Sequence, residues 1–101
     1  MEWLAPWDPV EAGDGLDAEL RREVGPGHPL HGVAARTLAR RQDRDDVLFA
    51  LEDGTGRVAV VHLTWTSSPP EEPPWPSTRL FPSLEAWAAT DLVEDHREFA
   101  G

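Results

Sequence analysis

Three aspartates crowd into the run QDRDD, at Asp43, Asp45 and Asp46. Carboxylates held this close can bind a hard cation such as Mg²⁺ or Ca²⁺, which takes several oxygen ligands. The spacing is not that of an EF-hand loop, because the required Gly and terminal Glu do not follow. A polar turn between strands explains the same residues, with Asp side chains bonding backbone N–H groups and Arg40, Arg41 and Arg44 balancing the charge. The histidines offer a second chemistry. His28 and His31 form HPLH in a Gly-Pro-rich stretch; two imidazoles could hold zinc or nickel if carboxylates completed the shell, and a solvated loop is the plainer account. His62 alternates with Val61 and Leu63, so it faces solvent or a groove, and as a general base it would need an orienting partner. Thr64, Ser67 and Ser68 are near it in sequence, but there is no GxSxG elbow. His96 sits among Glu94, Asp95 and Glu98, the setting of a surface ion pair. Glu71 and Glu72 would form an acid/base couple only with a further carboxylate facing them.

The segment HLTWTSSPPEEPPWP, residues 62–76, begins as a strand and ends in a proline cluster with Trp65 and Trp75 near its ends. Such a run favours polyproline II, the conformation that docks in aromatic grooves of partner domains. Bracketed by a strand and a helix, it also reads as a stiff crossover closing the fold, over residues 66–77. A third reading makes Trp65 and Trp75 the lip of a groove that could stack a planar ligand.

The chain has 101 residues, 40% of them hydrophobic, with five Trp and ten Pro. That is the length of one domain with one modest core. Cys is absent, which removes disulfides, thiol nucleophiles and zinc-thiolate sites. Lys, Asn, Ile and Tyr are absent too, the mark of a GC-rich bacterial genome; Schiff-base chemistry and a P-loop lysine go with them. No GxGxxG motif is present. Nineteen acidic residues against nine basic give a net charge of −10, which argues against nucleic acid and against anionic membrane. The acidity suits a solubility surface, a basic partner or a salt-rich cytoplasm. No apolar run is long enough to span a bilayer, and MEWLAPWDP lacks the n- and h-regions of a signal peptide. The expectation is a cytoplasmic protein.

These residues need elements to position them. Residues 1–13 read as an irregular N-terminal arm, with Trp3 and Trp7 placed to pack on the domain. Leu16, Leu20 and Val24 recur at helical spacing, capped by Asp14 and stopped by Gly25-Pro26-Gly27. Residues 32–41 read as a strand. DVLFAL and RVAVVHLTW are two β-prone runs joined by EDGTGR, whose glycines suit a hairpin loop. Val47, Phe49 and Leu51 share one face of the first run, and Ala59, Val61, Leu63 and Trp65 one face of the second. Leu48, Ala50, Val58 and Val60 are apolar as well, so these strands are expected to be covered at least in part on both faces. STRLF suits a short edge strand, and Ser83 caps a helix that buries Leu84, Trp87 and Ala88.

The segments GHPLHG, ARRQDRDDVLFALEDG, RVAVVHLTW, WPSTRLFPSLEAW and DHREF together resemble a family of small bacterial proteins of about this length, with no established activity. The resemblance covers residues 25–101. It implies the order of DDVLF-type strand, AVVHLTW-type strand, Trp/Pro loop and closing helix, and no site residues.

The reading is a single α+β domain over residues 1–101: an antiparallel meander of three to four strands with an N-terminal and a C-terminal helix packed on the sheet. The helices are expected on one face, leaving the other for contact. The favoured function is a non-enzymatic interaction or accessory module that binds another protein through Trp65, Trp75 and His62, with no cofactor. The alternative is a small metal- or ligand-binding protein using Asp43, Asp45, Asp46 and the histidines.

Overall fold

A computed structural model describes residues 2–11, 15–65 and 75–101. It is an α+β domain built on a five-stranded antiparallel sheet in simple chain order: β1 (Trp7–Pro9), β2 (Ala35–Arg41), β3 (Asp46–Leu51), β4 (Val58–His62) and β5 (Thr78–Phe81). Helix α1 (Leu16–Glu23) precedes β2. After β5 come α2 (Leu84–Trp87), a π-helical turn (Ala88–Leu92) and α3 (Val93–Ala100).

The β3–β4 hairpin follows from local chemistry. Asp53 Oδ1 accepts from the Thr55 N–H at 3.1 Å, and Gly54 and Gly56 take the left-handed conformations of the turn (φ 81° and 76°). The Thr55 hydroxyl and the Arg57 guanidinium bring the Asp53 carboxyl down to about 2. Counting outward from this loop sets the register, with Val47 opposite Val61 and Asp46 opposite His62. Ser83 caps α2 as the sequence predicts, its Oγ accepting from the Ala86 N–H. The expected cap at Asp14 lies outside the described residues; Gly15 occupies the N-cap position with φ 89° and no side-chain bond.

The sequence predicts three or four strands, and the sheet has five. The extra strand, β1, lies within the expected irregular arm. It is three residues long and contains a proline, so nothing local marks it. Its pairing with β2 makes it, with Trp7 opposite Arg41 and Pro9 opposite Ala39.

The helices correct a second expectation, because they cover opposite faces. Val47, Phe49, Leu51, Ala59, Val61 and Leu63 pack with Leu16 and Leu20 of α1 and with Val24 just beyond it. Leu48, Val58 and Val60 pack on the other side with Trp7, Trp87 and Leu92. Period-two alternation thus feeds two cores from the same strands. The expected coverage of both faces of the central strands is seen, and among the described residues neither face is left wholly open for contact. Strand β2 serves both cores through a register shift between Thr37 and Ala39. One inserted residue moves every later side chain to the opposite face. Ala35 therefore packs on the α1 side and Ala39 on the other.

That shift also orients Arg41. Its side chain is 5% exposed and bonds both Asp43 oxygens, Nε–Oδ1 at 2.9 Å and Nη2–Oδ2 at 3.0 Å, with Asp95 of α3 3.5 Å from Nη1. The Trp7 indole N–H donates to Asp95 at 2.9 Å. His96 Nδ1 lies 2.7 Å from the Ala5 carbonyl oxygen. The expected surface ion pair of His96 is thus replaced by a bond that ties α3 to the N-terminal arm.

Candidate functional site

The lip tryptophans differ from the other three. Trp65 and Trp75 are 49% and 51% exposed, whereas Trp7 and Trp87 are buried and Trp3 is half-buried against Trp87. Trp65 does not continue the strand face expected for it. Strand β4 ends at His62, and Trp65 takes a left-handed backbone, φ 55°. That conformation is strained for a bulky residue and needs external support.

Glu23 provides the support. The side chain is fully buried at the end of α1 and accepts from the Thr64 N–H (2.9 Å), the Thr64 hydroxyl (3.1 Å) and the Trp65 N–H (2.9 Å). A carboxylate at a helix C-terminus opposes the macrodipole, so its value lies in this clamp on the exit of β4. Burial pushes the Glu23 carboxyl up, aided by the adjacent Glu19 carboxyl. Glu19 moves down through its hydrogen bonds to Arg22, both at 2.9 Å. The sequence signal for this pair was present. Leu16, Glu19, Leu20 and Glu23 follow the i, i+3, i+4, i+7 stripe of a buried helix face, and acidic residues on such a stripe need partners.

Trp75 is held in a comparable way. Its neighbour Pro76 is buried, and the Pro76 carbonyl accepts from the Thr78 hydroxyl at 2.9 Å and lies 3.0 Å from His28 Nε2. His28 Nδ1 accepts from the Leu30 N–H at 3.0 Å, which places the ring proton on Nε2. Both nitrogens of His28 are therefore engaged within the fold, and the HPLH pair loses its first metal ligand. His31 is exposed.

Beside Trp75 lies a groove of about 400 Å³, lined by Asp46, Val60, His62, Trp75, Ser77 and Arg79. Cross-strand register assembles it. His62 stands opposite Asp46, and Arg79 opposite Val60. His62 Nδ1 lies 2.7 Å from Asp46 Oδ1, and the Arg79 guanidinium pairs with Asp91 of the π-helical turn while stacking over Phe81. Ser77, on the groove wall, makes no hydrogen bond to the His62 ring. A second, smaller hollow of about 240 Å³ is lined by His28, Pro29, Trp75, Ser77 and Thr78.

The predicted residues therefore divide. His62 and Trp75 come together in one groove, and Trp65 lies outside it. The aspartates separate: Asp43 pairs with Arg41, Asp46 pairs with His62, and Asp45 uses its backbone carbonyl to accept from the Leu63 N–H at 3.0 Å. Among the described residues, no group of three His, Asp or Glu side chains could hold a metal ion. Ser67, Ser68, Glu71, Glu72 and most of the 66–77 crossover lie outside the described residues. Sequence reasoning missed Glu23, Arg79 and the Asp46–His62 pair.

No family model matches the chain, and no curated protein or solved structure matches it either. The resemblance over residues 25–101 therefore rests on its segments alone. Among the described residues, no helix is long and apolar enough to cross a membrane.

Proposed function

We propose that this protein is a binding module for another protein, with Trp65 and Trp75 as its contact residues. One observation carries the reading: two half-exposed indoles stand on backbone that buried side chains hold, Glu23 beneath Trp65 and His28 beside Trp75. Aromatic anchors dominate binding energy at protein interfaces, and holding them in place beforehand lowers the entropy cost of association. The net charge of −10 favours a partner with a basic surface over nucleic acid.

The test compares the native chain with a Trp65→Ala/Trp75→Ala variant whose fold is verified by circular dichroism. Both are used to capture partners from host lysate, and the captured protein is then purified and titrated by calorimetry. The expected result is a defined complex whose affinity falls about 100-fold or more in the variant, the scale of losing an aromatic hot spot. Equal affinity for the variant would remove the indoles from the interface.

A further inference from the structure

We infer that the groove beside Trp75 is a binding site for a small, neutral, planar molecule with a hydrogen-bond acceptor next to a donor, the chemistry of an aromatic carboxamide or a heteroaromatic lactam. The site extends beyond the protein-contact reading. It uses Trp75 but not Trp65, and either property can fail without the other.

The volume, about 400 Å³, is sufficient for a small ligand. Val60, almost fully buried, contributes an apolar lining, and the half-exposed Trp75 indole supplies a flat wall for a second π-system. The polar groups decide the class. Arg79 spends one nitrogen, Nη1, on Asp91, and its carbon Cζ sits 5.7 Å from the Phe81 ring centre. Its remaining N–H groups have no partner among the described residues, so a positioned donor edge is left. His62 is fixed by Asp46 at Nδ1. A carboxylate accepts, so the proton of the neutral ring lies on Nδ1 and Nε2 keeps its lone pair. The ring thus offers an acceptor, and Ser77 adds a hydroxyl that can play either part.

Charge balance disfavours the ionic alternatives. Arg79 already faces Asp91, and Asp46 faces the His62 ring. An incoming anion would compete with Asp91 and meet Asp46, while a cation would meet Arg79. A neutral C=O directed at Arg79, with an adjacent N–H directed at His62 Nε2, meets neither opposition.

Benzamide, benzoate and benzylamine present one ring shape in three charge states. Each is titrated into the full chain while ¹H–¹⁵N NMR follows the Trp75 indole N–H and the backbone amides of Ser77 and Arg79. Benzamide is expected to shift these signals saturably and to bind about fivefold or more tighter than either charged probe, the scale of one well-placed hydrogen bond. Arg79→Gln and His62→Phe are each expected to weaken benzamide about fivefold, and Trp65→Ala to leave it unchanged. Arg79→Lys keeps the charge opposite Asp91 but removes the planar donor edge. It serves as the second variant if Arg79→Gln loses its fold, and is expected to weaken benzamide equally. Benzoate or benzylamine binding as tightly as benzamide overturns the neutral class. Absence of saturable shifts at Trp75 with all three probes overturns the site.

Discussion

Trp3, Trp7 and Trp87 form one group of indoles, and Trp65 and Trp75 another. In the first group the rings hold each other: Trp7 meets Trp87 edge-on at 5.2 Å, and Trp3 lies 5.9 Å from Trp87. Burial is their function, and it fastens the N-terminal arm to the C-terminal helices across β2. In the second group the rings are half free and the backbone beside them is held, by Glu23 in one case and through the Pro76 carbonyl in the other. The same side chain serves as mortar where its strand or helix points it into a core. It serves as a presented surface where it stands beyond the end of a strand. The difference shows that exposure here does not come from a loosely held chain.

Stability measurements can break this comparison. Trp87→Ala empties the centre of one core and is expected to cost about 3–5 kcal/mol in urea unfolding, whereas Trp75→Ala is expected to stay below about 1 kcal/mol. Similar costs for the two would end the distinction. Next in size is Arg41→Ala. It strips the partner from Asp43 and Asp95 beneath the Trp7 indole; the arginine is buried but Asp43 is partly exposed, so the expected loss is about 2 kcal/mol. A loss within the range of a surface substitution would show that the Arg41 ion pairs contribute little to holding the arm.

Glu23→Ala tests the other group. Two backbone N–H groups and a hydroxyl lose their acceptor, for an expected loss of about 2 kcal/mol and a broadened Trp65 amide signal in NMR. The pH dependence sharpens the assignment. The folded state raises the Glu23 carboxyl, so the stability it contributes is complete below the ordinary glutamate value of about 4.3 and is lost as pH climbs through the raised value. Glu19 is lowered and behaves oppositely, its contribution being lost as pH falls below the ordinary value. Glu23→Gln should flatten the decline on the alkaline side and leave the acid side. An unchanged profile in that variant would detach Glu23 from the titration.

Smaller effects follow. Acrylamide is expected to quench the emission of Trp65 and Trp75 readily and that of Trp7 and Trp87 hardly at all. Single Trp→Phe variants assign the signals, and uniform quenching would contradict the two-group picture. Mg²⁺, Ca²⁺, Mn²⁺ and Zn²⁺ are expected to leave the melting temperature unmoved, because Asp43 and Asp46 are each engaged with a different partner. A cation-dependent rise would restore the metal reading.

Much of the local architecture was legible. The alternation in 47–51 and 58–63 announced strands with two buried faces, the glycines of EDGTGR marked the hairpin, and Ser83 marked its helix. Hairpin register even contained the Asp46–His62 pair, since counting out from the loop places the two opposite each other. Other features had no local signature. A three-residue strand holding a proline becomes a strand only when β2 is beside it. The bulge at Thr37–Ala39 is a compromise between two cores that no single strand reveals. The acidic run around Asp43 suits a cation ligand or a turn balanced by nearby arginines; the structure pairs Asp43 with Arg41, two positions away, and only the burial of that arginine lacked a local signal.

What depends on neighbours along the chain is readable in advance: period, turn chemistry, capping and the absence of thiol chemistry. The closed fold settles which face each helix covers, which indoles are buried and which are presented, and the long-range partners of Asp95 and Glu23. Those outcomes depend on contacts between residues such as Trp7 and Asp95 or Glu23 and Trp65, 88 and 42 positions apart. Burial and pairing energies act between such residues only after the chain has closed around them.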